Sequence, residues 1–149
     1  MTRLVRYSLY TVIILFIIAQ LIPYNAVDPE LAVYEQEYLT TVQKYCTRDK
    51  YLKPWQKAIY FQQLDYNNIA YCQSNHFSTM KIVYNIRNWN TQSEDERFAS
   101  IQHELFHCYF GVGHSDDPKN FMYAFENYLS KQVVIEQEIA LLKKLCNTN

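Results

Sequence analysis

Only two glycines occur in this chain of 149 residues, at 111 and 113, so there is one short stretch where the backbone can turn left-handed without strain. The sharpest bend in the fold is therefore expected just after residue 110. What leads into it reads as a helix. Thr91-Gln92-Ser93-Glu94-Asp95-Glu96 carries Ser93 and Glu96 at capping-box spacing, and its three acids suit the positive end of a helix dipole. Phe98, Ile101, Leu105 and Cys108 then recur at helical intervals, which predicts a helix to about Phe110.

The other elements follow from the same periodicities. Asp28-Pro29-Glu30 offers an N-cap and a first-turn proline, and Leu31, Tyr34, Tyr38, Val42 and Tyr45 predict an amphipathic helix over 29–46. Pro54 opens a second, shorter helical stretch to about Leu64. The period then changes. Ile69 and Tyr71, and later Ile82, Tyr84 and Ile86, alternate with small or polar residues as half-buried strands do, with 73–79 as a hairpin connection and a strand over 81–87. After a polar loop over 115–120, Tyr128, Ile135, Ile139, Leu142 and Cys146 share one face of a last helix. The expected class is α+β: one small domain over 28–149 with a short, mostly antiparallel sheet and a C-terminal helix.

Residues 1–27 read as a targeting segment. Arg3 and Arg6 precede an uncharged stretch from Tyr7 to Val27, and 23–27 forms its linker to the domain. As a signal anchor the stretch is just long enough to span a membrane. As a cleaved signal peptide it lacks small residues at the paired cleavage positions, since Ile17 and Tyr24 stand before Ala19 and Ala26. Either way the arginines stay on the cytoplasmic side and the domain is exported, membrane-anchored or secreted. Export bears on Cys46, Cys72, Cys108 and Cys146: one or two disulfides are expected, in any of three complete pairings, with four buried free thiols as the equal alternative. A net charge of −1 provides no basic field, so no nucleic-acid partner is expected.

Chemistry enters at His103-Glu104-Leu105-Phe106-His107. Residues four apart on a helix share a face, so the two imidazoles can hold one metal ion, while Glu104 lies beside them within reach of a bound water. Both histidines fall nearly opposite the apolar stripe, which separates them from the core. Three of the 4 histidines lie between 103 and 114. The glycines stand between His107 and His114, where the chain turns back.

His103-Glu104-x-x-His107, Gly111-x-x-His114 and then Met122 together resemble the metzincin clan of zinc endopeptidases, whose pattern is HExxHxxGxxH followed by a Met-turn. The resemblance covers 93–123. It implies a zincin-like fold with Zn2+ held by His103, His107 and His114, Glu104 as general base, and Met122 in a turn beneath the metal. One departure is plain: three residues, not two, separate His107 from Gly111, which rotates the helix exit by roughly 100°. The stretch is also similar to uncharacterised bacterial zincin-like proteins that read HELGHC with a histidine seven places on, and Cys108 fits that version. Glu126 competes with His114 for the third position, because in the thermolysin-like clan a glutamate there is the ligand.

The expected activity is hydrolysis of peptide bonds by a metal-activated water, with a peptide or protein substrate paired to an exposed edge at 81–87. The alternative is a membrane-tethered, non-catalytic zinc-binding protein that engages a partner. His76, Asp116 and Asp117 read as surface and loop residues.

Overall fold

The computed structural model describes residues 24–65, 68–75, 79–124 and 129–147. In order, these form β1 (Tyr24–Val27), α1 (Pro29–Tyr45), β2 (Gln56–Gln62), β3 (Ala70–Ser74), β4 (Thr79–Asn85), α2 (Ile86–Thr91), α3 (Glu94–Phe110) and α4 (Lys131–Cys146). The class is α+β, as expected. Residues 1–23, which hold most of the expected targeting segment, lie outside the described residues. Among the described residues no helix is long and apolar enough to cross a membrane.

Two helices begin as their caps predict, and a third begins at a cap that was not expected. Asp28 accepts a hydrogen bond from the Glu30 amide at the head of α1, with Pro29 in the first turn. At the head of α3, Ser93 and Glu96 form the full capping box. Asn85 ends β4 and caps α2 by accepting from the Arg87 amide, which stops the strand short of the expected 87.

The sheet departs from expectation. Its order is β1-β2-β4-β3, with β1 and β4 both parallel to β2 and only the β3–β4 pair antiparallel. The sheet is thus mixed, not mostly antiparallel. Residues 24–27, expected as a linker, are its edge strand, so the folded unit reaches back at least to Tyr24. The helix expected from Pro54 is instead β2, which takes hydrogen bonds from strands on both sides. Pairing outweighs the helical preference of Gln56, Lys57 and Ala58. The strand expected to offer a free edge, β4, is paired on both sides, and the edges of the sheet are β1 and, beside the helix α3, β3.

Helices α1 and α3 pack on the sheet, and α4 packs on both helices. Tyr38, Val42, Ile82, Tyr84, Trp89, Phe98, Leu105, Phe106, Val134 and Leu142 fill one continuous core. Buried Glu35 of α1 ties three elements together by accepting from the Tyr109 hydroxyl at 2.6 Å and from Lys57 Nζ at 2.8 Å. Disulfides join Cys46 to Cys146 and Cys72 to Cys108, which selects one of the three pairings. The first closes the ends of α1 and α4. The second fastens the edge strand β3 to α3, one residue beyond His107.

Candidate metal centre

The three histidines converge. His103 and His107 lie one turn apart on α3, and their Nε2 atoms are 2.8 Å from each other. Gly111 ends the helix at φ 63°, its amide bonded to the His107 carbonyl. That left-handed residue turns the chain so that His114 comes back over the helix, its ring centroid 5.2 Å from that of His103 and 4.7 Å from that of His107. One nitrogen of each ring lies within 4.8 Å of the others. The extra residue before Gly111 is thus absorbed by the bend.

Backbone carbonyls fix both helical rings. His103 Nδ1 is 2.8 Å from the Phe121 carbonyl oxygen, and His107 Nδ1 meets the Val112 carbonyl. A carbonyl only accepts, so in the neutral rings each Nδ1 carries the proton and each Nε2 presents a lone pair. Two lone pairs aimed at each other across 2.8 Å repel unless a cation lies between them. A proton could serve, but burial pushes the His103 imidazole down to about 4, aided by His107 and His114 and opposed by the Phe121 carbonyl. Burial lowers His107 too. The donor set therefore fits a metal ion with an affinity for neutral imidazole, as zinc has.

The loop that supplies the Phe121 carbonyl is itself held. Gln137 of α4 accepts from the Phe121 amide and donates to the Lys119 carbonyl, each at 2.8 Å. The Ser115 amide donates to the Met122 carbonyl, closing the loop, and Asp117 accepts from the Lys119 amide, a loop-forming role as its place before Pro118 predicts. Met122 is buried just after Phe121. Glu126, His76 and Tyr128 fall outside the described residues.

Glu104 is 8% exposed at the side of the histidines. Burial raises its carboxyl to about 7, against the opposing pull of the Cys72 backbone amide, which donates to it. A dication on the histidines would draw it back toward the ionised form. A cleft of about 240 Å³ opens on Glu104, His103 and His114, walled by Asn68, Ile69 and Ala70 on one side and by Phe121, Tyr123 and Ala124 on another.

Several positioning residues carry no sequence signal of their role. Cys72 reaches Glu104 only through the placement of β3. Asn85, almost fully buried, donates to the Asn68 carbonyl at 2.9 Å, and its amide bonds the Ile69 carbonyl at 2.8 Å, so it holds the Asn68–Ile69 wall. An asparagine ending an alternating strand is legible as a cap, but not as an anchor for a wall 17 residues earlier. No protein-family model matches the chain, and no curated protein or solved structure matches it either.

Proposed function

We propose that this chain is a zinc-dependent endopeptidase of zincin type, in which His103, His107 and His114 hold the metal and Glu104 is the general base. The observation that carries this reading is the pair of facing Nε2 lone pairs with a third imidazole beside them. Three neutral imidazoles leave a coordination position for water, as catalytic rather than structural zinc sites do. The ion, when bound, supplies Lewis acidity to that water and to a peptide carbonyl.

The chain's own groups do the rest. Glu104 takes the proton as the water attacks the carbonyl carbon, and delivers it to the leaving nitrogen as the C–N bond breaks. The Cys72 amide fixes which way the carboxylate points. An extended peptide can add to the edge of β3, where Ile69 and Ala70 already line the cleft. Two disulfides favour an oxidising, extracytoplasmic location, with tethering through residues 1–23 as the accompanying proposal.

Zinc content and hydrolysis of a peptide library, compared between the wild type and Glu104→Gln, test the reading. The expected result is one zinc per chain in both, with hydrolysis reduced at least ~100-fold in the variant. One zinc per chain without hydrolysis in either would favour a non-catalytic zinc-binding protein. Zinc near zero in the wild type would remove both readings.

A further inference from the structure

The cleft extends from the histidines along the N-terminal half of α3, where Glu96, Ala99, Ser100 and His103 form one wall. Glu96 precedes His103 by seven residues, which places it roughly 10 Å along the axis and within about 20° around it. Ala99 and Ser100 lie between them and leave room above the helix. At the far end stands the carboxylate of Glu96. Its Oε2 accepts the capping bond from the Ser93 amide at 2.6 Å and a further bond from the Ser93 hydroxyl at 2.7 Å. Its Oε1 accepts no hydrogen bond among the described residues, and no lysine or arginine lines the cleft. The same two bonds keep the carboxyl below the usual range, so the anion is present at neutral pH.

A carboxylate anchored by one oxygen and open at the other can accept a cationic donor, and its place two helical turns from His103 suits a long stem. We propose that this arm of the cleft is a subsite for the side chain of a lysine or arginine next to the scissile bond, selected by Glu96; this rests on the peptidase reading. The small residues Ala99 and Ser100 pass the aliphatic stem, as snorkelling side chains require, and Glu96 pairs with its head. Acidic residues are rejected at the same position by the Glu96 and Glu104 carboxylates.

The test uses zinc-loaded full-length protein and matched peptides carrying arginine, or its neutral isostere citrulline, at each position flanking the cleaved bond. At one position the wild type should prefer arginine by about two- to fivefold in kcat/KM, as a solvent-accessible ion pair predicts. In Glu96→Gln, which preserves the capping box, that ratio should fall to near one. Ser100→Lys should give the same loss, because a lysine four residues after Glu96 is well placed to occupy its free oxygen. Cleavage with an unchanged arginine preference in both variants overturns the subsite and leaves the peptidase reading standing. If no peptide in the library is cleaved by the wild type, the peptidase reading fails and the subsite with it.

Discussion

Glu104 and Glu138 are two buried glutamates with opposite surroundings. Glu104 is 8% exposed and pushed up to about 7; Glu138 is 2% exposed and pushed up to about 8. Burial is the main cause in both. Glu104, however, receives the Cys72 amide and faces a cleft with three histidines. Glu138 lies in the helical seam on α4, with Glu37 adding to its shift, and its Oε1 has no partner among the described residues. The Tyr38 hydroxyl nearby is equally unpartnered. A raised carboxyl is thus no mark of catalysis by itself. What distinguishes Glu104 is the company of converging lone pairs and an open cleft.

The largest effect should come from breaking that convergence. His107→Ala leaves His103 without its facing nitrogen, and both zinc and hydrolysis should be lost, the latter to background. Glu138→Gln should keep one zinc per chain and full activity. Metal analysis beside a peptide assay checks both. If Glu138→Gln also lost zinc, the two sides of the molecule would be coupled, with the neighbouring Gln137–Phe121 bond as the route between them.

The two disulfides divide along the same line. Cys46–Cys146 closes the seam that holds Glu138, while Cys72–Cys108 fastens the strand that positions Glu104. Loops of 100 and 36 residues correspond to about 5 and about 4 kcal/mol of chain entropy, so removing either pair should lower the melting temperature substantially. Only the Cys72→Ala/Cys108→Ala protein should also lose kcat/KM, about tenfold when assayed well below its melting temperature. Equal kcat/KM in both double variants would mean that β3 stays in place without its tether.

How far these features were legible depends on whether the deciding interaction is local. The HExxH pair, the Ser93–Glu96 box and the Asp28-Pro29 start each act within one helical turn, so α1, α3 and the shared face of His103 and His107 followed from spacing, whereas His114 came only from the resemblance. The strand β2 did not. Its residues 56–58 are good helix formers, and only parallel partners on both sides, drawn from residues 24–27 and 79–85, make it extended. Ile86 continues the alternation of β4 in sequence, but the Asn85 cap turns it into a helix. The cleft walls and the Cys72 amide come from chain order across the sheet, which periodicity does not encode. The cysteine pairing was open for the same reason.

Next in size is His114→Ala. This ring is exposed and lies on a loop, whereas the other two sit on a packed helix. Its removal should weaken zinc more than the ten- to hundredfold typical of an outer-shell partner, roughly a hundredfold or beyond, without unfolding the domain. Competition with a chelator of known affinity measures this. An unchanged zinc affinity would transfer the third position to another residue and leave a two-histidine pair in place of a three-histidine centre.

The last prediction separates the two glutamates by proton linkage. Glu138 titrates near 4.5 when unfolded and near 8 when folded, so between those values the folded state binds the extra proton. Its contribution is fully present below pH 4.5, falls as the pH rises toward 8, and is absent above, with a limiting slope of about 1.4 kcal/mol per pH unit. Glu104 would add a slope of the same sign in metal-free protein, and His103 and His107 one of the opposite sign at lower pH. With zinc bound, Glu104 would be ionised in both states and lose its slope, while the histidines, held unprotonated only when folded, would keep theirs, equally in the wild type and in Glu138→Gln. Denaturant unfolding of zinc-loaded wild type and Glu138→Gln from pH 5 to 8 therefore isolates the seam. The variant should gain on the wild type as the pH rises, since its amide does not need the proton that Glu138 must retain. Parallel curves would place water or a partner beside Glu138, and the contrast with Glu104 would then rest on the histidines alone.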